Sequence, residues 1–295
     1  MSYLSEEIAS QPDCWRQAAQ LAARSGAELP MPGERIAVVG CGTSWFMAAA
    51  YANLRERAGQ GHSDAFAASE FPTGRNYDRL VAITRSGTTT ELNRLLAAVQ
   101  GSLHSTVLTA SAGTPVAALA DQVIELGFAD ERSVVQTRFA TSALGVLRAH
   151  LGTDLAPLAS AGELAVHQQL DDSWADAEQI TFLGAGWAAE IAREAALKLR
   201  EAAQFWTESY PSMEYRHGPI SIAGPGRLVW HFGPAEPRLA AQIRATGAGF
   251  HDSAEDPMVE LILVQRLAAV LAGRRGLDPD RPRQLTRSVV LDAAS

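Results

Sequence analysis

"RIAVVGCGTSWFMAAAYANLRERAG" (35–59) joins a short apolar run, a glycine turn and a long stretch with helical spacing. This order is typical of a buried strand that enters a helix through a tight turn. A similar stretch, "QITFLGAGWAAEIAREAALKLREAA", occupies residues 179–203, and at a constant offset Gly40 matches Gly184. Two copies of one strand–helix unit predict two tandem α/β subdomains, each with a largely parallel sheet flanked by helices.

The remaining segments fit this plan. The segments 105–109 and 121–126 have strand composition, and 141–151 and 257–272 have helical patterns. "LGTDLAPLASAGE" (151–163) has the composition of a linker. We therefore predict a first subdomain over residues 1–155, which includes an N-terminal helix, and a second over 156–295, which ends in an extended basic tail.

Composition and charge exclude several function classes. Hydrophobic residues make up 47% of the 295 residues, which predicts a well-buried core. The formal net charge of −8 argues against a nucleic-acid-binding protein, which usually carries a basic face. Only two cysteines occur, Cys14 and Cys41, so neither a disulfide framework nor a paired metal-binding spacing is present. We expect no metal and no other cofactor.

Targeting signals are not evident in the sequence. The N-terminal "MSYLSEEIASQPDCW" carries acidic residues where a signal peptide needs a basic and then an apolar segment. No apolar run approaches the roughly 20 residues that a membrane-spanning helix needs. The sequence predicts a cytoplasmic protein with no membrane partner.

Both glycine turns have the form G-x-G and lack the third glycine of a dinucleotide-binding fingerprint. "TSWF" follows Gly42, and "WAAE" follows Gly186. A G-x-G pair alone is weak evidence for nucleotide binding. A nucleotide-dependent enzyme is therefore a disfavoured alternative.

A hydroxyl-rich turn follows the next predicted strand of the first half. In "ITRSGTTTEL" (83–92), hydroxyl and glycine residues separate a strand-like run from a helix-like one. Such residues suit an ordinary turn, and they also suit an anion site in which N–H groups at a helix N-terminus and hydroxyls surround a phosphate. The corresponding turn of the second half, after "RLVWHF", is "GPAEP". Because a turn needed only for the fold should be similar in both halves, the asymmetry favours an anion site.

Residues that could transfer protons lie in the second half. Glu194, Lys198 and Glu201 are spaced four and three apart, so they share one face of the predicted helix. A surface ion pair is the ordinary explanation of this spacing. The following loop, "WTESYPSMEYRHGP" (206–219), ends in His217 beside glycine and proline, and a histidine in such an irregular segment is a candidate functional residue.

Four stretches together carry a resemblance to a known family. "GCGTS", "SGTTTE", "EAALKLREAAQFWTESYPSMEYRHGP" and "LDPDRPRQLTRSV" occur in this order. The chain resembles the sugar isomerase (SIS) superfamily, and within it the isomerase portion of glucosamine-6-phosphate synthase, over nearly its whole length. The glutamine-hydrolysing domain of the synthase has no counterpart in this sequence, so amide-nitrogen transfer from glutamine is not expected.

The resemblance implies a function for individual residues. Glu201 matches the base that moves a proton between C1 and C2 of an open-chain sugar, and Lys198 matches a lysine of the same helix. His217 matches a histidine that assists ring opening and is supplied across the interface of a homodimer. A sugar phosphate is the implied ligand. The residues expected to contact its phosphate or its sugar are Ser44, Thr84, Arg85, Ser86, Thr88, Thr89, Glu194 and Arg287.

The residue types suit this chemistry. Aldose–ketose interconversion needs a carboxylate that takes and returns a proton, and ring opening needs a proton donor such as histidine. One departure concerns Arg287, which stands where the synthase has a lysine that forms a Schiff base. Arginine stays protonated, so a covalent imine at this position is not expected. A second departure is Arg85, a cation within the hydroxyl-rich turn, which either pairs with phosphate or points to solvent.

Three function classes remain after the sequence analysis. The favoured one is a phosphosugar enzyme, either an aldose–ketose isomerase or a deaminase or deglycase of an amino-sugar or fructosamine phosphate. The loss of the Schiff-base lysine favours deaminase or deglycase chemistry. A non-catalytic sugar-phosphate sensor is the alternative, although a sensor needs no Glu201 or His217. The nucleotide-dependent enzyme is the third class.

Overall fold

The computed structural model describes residues 2–291. Its helices and strands alternate along the chain as the sequence predicts. In order they are α1 (Tyr3–Ala9), α2 (Gln11–Arg24), β1 (Ile36–Gly40), α3 (Thr43–Arg57), β2 (Ser63–Ala67), β3 (Arg79–Thr84), α4 (Thr90–Val99), β4 (Ser105–Thr109), α5 (Val116–Leu119), β5 (Gln122–Glu125), α6 (Arg138–His150), α7 (Ala156–His167), α8 (Asp172–Asp176), β6 (Gln179–Gly184), α9 (Trp187–Ala203), β7 (Thr207–Pro211), β8 (Arg227–Phe232), α10 (Pro237–Ala245), β9 (Gly249–Asp252) and α11 (Pro257–Arg274).

The strands form two parallel sheets, which confirms the predicted α/β fold class. The first sheet has the order β2-β1-β3-β4-β5, and the second has the order β7-β6-β8-β9. All strand pairs are parallel, and β1, β3 and β6 are buried along their whole length. In each sheet, the second and third strands along the chain lie on opposite sides of the first, so the direction of strand addition reverses there. In open parallel sheets, ligands bind in the crevice at such a switch point, outside the carboxyl ends of the strands.

The two glycine turns have the same backbone geometry. Gly42 and Gly186 precede α3 and α9 with φ/ψ of 55°/−126° and 59°/−132°. A Cβ atom on Gly40 would lie 2.5 Å from the carbonyl carbon of Ser44, and one on Gly184 would lie 2.4 Å from that of Ala188. Glycine is therefore required in both copies, because the end of the strand and the first helical turn are in close contact.

The chain divides into two compact units whose segments are interleaved. Among the described residues, the first unit comprises 10–132, 136–159 and 286–291, and the second comprises 2–9, 133–135 and 160–285. The contiguous division predicted at residues 155 and 156 differs from this arrangement at both chain ends. The N-terminus belongs to the second unit because the Asp280 carboxylate accepts from the N–H groups of Tyr3 and Leu4 at 2.9 and 2.7 Å.

The predicted linker is also partly wrong. Residues 151–163 include the first two thirds of helix α7, which begins at Ala156 and ends at His167. Small and apolar residues such as those of "APLASAGE" form a helix when one of its faces is buried, and here Leu158, Ala159 and Ala165 are buried. The composition of this segment concealed its amphipathic pattern.

Candidate active site

The hydroxyl-rich turn leads from β3 into α4 of the first unit. Gly87 has a φ of +64°, and a Cβ atom there would lie 1.9 Å from the Thr114 hydroxyl oxygen. Two local hydrogen bonds shape the turn: the Gly87 N–H donates to Thr84 Oγ1 (3.3 Å), and the Thr88 N–H donates to Ser86 Oγ (3.2 Å). Thr89 is the N-cap residue of α4, and its hydroxyl makes no capping hydrogen bond. The turn therefore presents hydroxyl groups at a helix N-terminus, where an anion is stabilised.

A small cavity of about 30 Å³ lies where this turn and the first glycine turn meet. Five of the predicted phosphate contacts line it together with Arg287. The lining residues are Cys41, Ser44, Ile83, Thr84, Arg85, Ser86, Thr89, Leu92, Gln136 and Arg287. The structure thus brings together the residues that the sequence assigned to phosphate, at the switch point of the first sheet. Thr88 is not among the lining residues, and its hydroxyl donates instead to Ser288 Oγ at 2.8 Å.

Arg85 does not point to solvent. Its side chain is 1% exposed and pairs with the fully buried Glu131, with an Nη1–Oε2 distance of 3.2 Å. Glu131 Oε1 also accepts from the N–H and the hydroxyl of Thr137, at the start of α6. A buried ion pair of this kind needs such additional hydrogen bonds to offset the loss of hydration. Phosphate contact by Arg85 stays a prediction, and the observed pairing joins the turn to α6.

The C-terminal tail lies against the hydroxyl-rich turn within the first unit. The Arg85 guanidinium donates to the carbonyl oxygen of Arg287 (3.1 Å), and the Thr90 N–H donates to that of Val289 (3.1 Å). The Arg287 guanidinium itself donates to the Asp130 carboxylate and to the Glu131 carbonyl. Arg287 is therefore held beside the cavity by acidic and carbonyl partners.

Sequence reasoning missed two residues of this region. Glu131 is separated by 46 residues from its ion-pair partner, and no local pattern marks it. Gln136 lines the cavity, and its side-chain oxygen is buried without a hydrogen-bond partner in residues 2–291. A buried acceptor of this kind suits a hydroxyl group of a ligand. Burial raises the pKa of the Cys41 thiol, which lines the cavity, to about 11, and this disfavours the nucleophilic thiolate form.

The predicted proton-transfer residues lie together on α9 in the second unit. Lys198 Nζ is 2.6 Å from Glu201 Oε2 and 3.3 Å from Glu194 Oε1. The side chains of Lys198 and Glu194 are both 1% exposed, so the ordinary explanation of a surface ion pair is wrong. Glu201 is 19% exposed and is thus the member of the group that solvent or a ligand reaches. The group thus places a buried ammonium ion between two carboxylates, of which Glu201 is the more accessible.

The loop after β7 presents His217 at the surface of the second unit. Tyr215 is fully buried, whereas His217 is exposed. The Arg216 guanidinium donates to Glu236 (2.5 Å) and to Gln242 (2.7 Å). The backbone N–H of His217 donates to the Glu214 carbonyl at 3.0 Å. The loop is therefore held by hydrogen bonds directly before an accessible imidazole.

The described part of the chain has neither a metal-type cluster nor a membrane-spanning helix. Within residues 2–291, no group of three or more histidine, cysteine, aspartate or glutamate residues has an arrangement that could hold a metal ion. No helix in the same part of the chain has the length and apolar character to cross a membrane.

Comparison with known proteins shows what this chain resembles. Residues 32–149 match the model of the SIS domain. The glutamine–fructose-6-phosphate aminotransferase (isomerizing) of Gloeobacter violaceus is 27% identical over 88% of this chain and 52% of its own length. The chain thus spans about half the length of the aminotransferases that it matches.

Solved structures agree with this match. The glucosamine-6-phosphate deaminase of Thermotoga maritima superposes with a TM-score of 0.81 at 21% identity, covering 98% of this chain and 100% of its own. The tagatose-6-phosphate ketose/aldose isomerase of Escherichia coli has a TM-score of 0.77 at 18% identity, covering 99% and 97%. At these identities the structures establish the fold. Residues 32–149 therefore form an SIS domain, and the predicted resemblance of this chain to the SIS superfamily, including the isomerase portion of the synthase, is confirmed.

Proposed function

We propose that this protein is an enzyme that releases nitrogen from an amino-sugar or fructosamine phosphate by moving a proton between C1 and C2. The observation that carries the proposal is the Lys198 ammonium group buried between Glu194 and the partly exposed Glu201. A protein that only senses sugar phosphates needs an anion site, but it has no use for a positioned base. The similarity to a deaminase and to a ketose/aldose isomerase supports the same reaction class.

Phosphate binding is the first step of the proposed reaction. The hydroxyls of Ser44, Ser86 and Thr89 line the cavity at the N-terminal end of α4, and they would donate to the phosphate oxygens. The positive end of the helix dipole stabilises the same charge. Phosphate thereby anchors the sugar and limits the positions that its C1 and C2 atoms can adopt.

Proton transfer follows ring opening. His217 protonates the ring oxygen, and the ring opens to the free aldehyde or ketone. The Glu201 carboxylate then removes the proton from C2 of an amino aldose and returns it to C1. The C1 oxygen gains a proton and the nitrogen loses one, so the aldehyde becomes an alcohol and the amine becomes an imine at C2. Water adds to this carbon and ammonia leaves, so the product is a ketose phosphate. Lys198 holds Glu201 in position through their 2.6 Å contact.

Arg287 favours this outcome over covalent catalysis. Its guanidinium stays protonated and is held by Asp130 and Glu131, so it cannot form an imine with the sugar. Beside the cavity, the same group suits contact with a substrate hydroxyl. A plain aldose–ketose isomerisation uses the same base and is the second candidate reaction.

The first test is a ligand panel read by thermal shift and then by turnover. We expect fructose-6-phosphate, glucosamine-6-phosphate or a galacto counterpart to raise the melting temperature, because a ligand that binds the folded state stabilises it. The unphosphorylated sugars should have no effect. Each phosphosugar that binds is then assayed for release of ammonia or amine and for the isomerised sugar.

A double variant tests whether the phosphosugar binds at the hydroxyl-rich turn. Ser86→Ala with Thr89→Ala should raise the Michaelis constant roughly tenfold or more, because it removes two hydrogen bonds to a charged group. Binding without any turnover would support the sensor instead, and absence of any phosphosugar effect would exclude the proposed ligand class.

We also propose that the enzyme is a homodimer in which each site receives His217 from the partner. Co-expression of Glu201→Gln with His217→Asn tests this arrangement. In a mixed dimer with shared sites, one site carries both substitutions and the other carries neither, so about a quarter of the activity of the unmodified enzyme should return. If each protomer supplies its own Glu201 and His217, mixing will restore nothing. A monomeric mass for the active protein would also contradict the proposal.

A further inference from the structure

A buried serine–histidine pair closes the switch point of the second sheet. Ser212 is the first residue after β7, and its hydroxyl lies 2.7 Å from Nε2 of His231 on β8. The Ser212 N–H donates to the carbonyl of Gly184, the last residue of β6, at 2.8 Å. Ser212 is 7% exposed and His231 is 2% exposed. The pair therefore ties together the carboxyl ends of three adjacent strands.

The hydrogen-bond partners define the protonation of this pair. His231 Nδ1 lies 2.8 Å from the Gly233 carbonyl oxygen, which can only accept, so Nδ1 carries the proton. In the neutral ring Nε2 must then accept, and the Ser212 hydroxyl donates to it. Burial lowers the pKa of His231, which favours this neutral form. In the two hydrogen bonds that link Ser212, His231 and Gly233, the Ser212 hydroxyl and His231 Nδ1 are thus the donors.

The first sheet has no corresponding pair. Ala82 pairs with Val39 as His231 pairs with Leu183, and Ala68 follows β2 as Ser212 follows β7. Alanine makes no side-chain hydrogen bond, and the switch point of the first sheet carries the phosphate cavity instead. The pair is therefore a feature of the half that carries His217.

Ser212 begins the loop that carries His217. The segment 212–217 is held by the Ser212–His231 bond at its start, by the buried Tyr215 in the middle and by the bonds of Arg216 near its end. The start of the loop is tied to the carboxyl ends of the sheet strands by this side-chain bond and by the backbone bond from Ser212 to Gly184. Ser212 lies only five residues before His217, so we expect a displacement of the backbone at Ser212 to reach the exposed imidazole.

We propose that His231 is a positioning residue for His217. Its hydrogen bond holds Ser212 at the start of the loop, and the loop in turn positions His217. This inference rests on the proposed role of His217 in ring opening. Because misplacement of a reacting group by about 1 Å costs on the order of 100-fold in rate, loss of the bond should affect catalysis more than binding. The phosphate cavity lies in the other unit and is lined by other residues.

The test compares Ser212→Ala and His231→Leu with Ser209→Ala, a control on the same strand. We expect both removal variants to lower kcat by roughly 10- to 100-fold with an unchanged Michaelis constant. They should also shift or broaden the imidazole NMR signals of His217, which His217→Asn identifies by their loss. Ser209→Ala should do neither, and Ser212→Thr, which keeps the hydroxyl, should restore both.

The NMR measurement does not depend on turnover, so it separates the two hypotheses. If the unmodified protein turns over no phosphosugar, the proposed function fails, and the His217 signals still report whether the pair positions the loop. Unchanged His217 signals in both removal variants would overturn the inference whatever the activity. A moved signal with unchanged kcat would overturn it as well, since loop position would then be irrelevant to the reaction.

Discussion

Glu201→Gln should lower kcat by about 10²- to 10⁴-fold while the protein still binds sugar phosphate. The amide has nearly the same shape as the carboxylate and keeps an oxygen that accepts from Lys198, but it cannot take a proton from carbon. Binding should persist because the cavity proposed to bind phosphate is lined by residues of the first unit, whereas Glu201 belongs to the second. Single-turnover kinetics and a thermal-shift titration with the same phosphosugar measure the two quantities separately.

The matched control is Glu190→Gln on the same helix. Glu190 pairs with Arg193 at 2.9 Å in the first turns of α9, and it is no part of the Glu194–Lys198–Glu201 group. We expect the activity of Glu190→Gln to stay within about twofold of that of the unmodified enzyme, because Glu190 contacts neither Lys198 nor Glu201 and a partly exposed i,i+3 pair contributes little to stability. Full turnover by Glu201→Gln would remove this residue from the mechanism, and another group would then have to move the proton between C1 and C2.

Arg85→Ala should destabilise the first unit by about 3–5 kcal/mol, because it leaves the fully buried Glu131 carboxylate without its charged partner. The loss should be visible in chemical denaturation and in faster hydrogen exchange of the β3 amides, which lie next to Arg85. Arg85→Met combined with Glu131→Leu should recover part of the stability, since it removes the uncompensated buried charge but leaves the Thr137 N–H and hydroxyl without their acceptor.

Arg35→Ala provides the comparison for an exposed pair. Arg35 and Asp78 form an ion pair at 2.8 Å whose side chains are about half exposed, so solvent screens it. Its removal should change the melting temperature far less than Arg85→Ala does. Equal effects of the two substitutions would show that burial of Glu131 does not have the energetic consequence that we assign to it.

The fold could be predicted from the sequence to a large extent because its decisive features are local. The apolar run, the glycine turn and the helix of residues 35–59 follow one another directly, and each contact that requires glycine lies within a few residues. The interleaved units could not be predicted in this way. The bond between Leu4 and Asp280 joins residues 276 apart, and no local pattern reports it.

The same distinction applies to the candidate site. The hydroxyls of the turn after β3 and the spacing of Glu194, Lys198 and Glu201 are visible in short stretches, and the structure brings each set together. Arg85 is an unusual residue for a hydroxyl-rich turn. Its partner Glu131 lies 46 residues away, so no spacing in the sequence identifies the pair. The pairing of Ser212 with His231 depends on strand order, which brings residues 19 apart to neighbouring strand ends.

The matching geometry of the turns at Gly42 and Gly186 indicates an evolutionary history. Two strand–helix units that share φ, ψ and the same close contact with the following helix are most simply explained by duplication of an ancestral half. After such a duplication the copies diverge independently: here one holds the hydroxyl-rich turn and the other holds the lysine–glutamate group. In the proposed enzyme, substrate affinity and proton chemistry would then be inherited as separate modules, so mutations could adjust one while leaving the other intact.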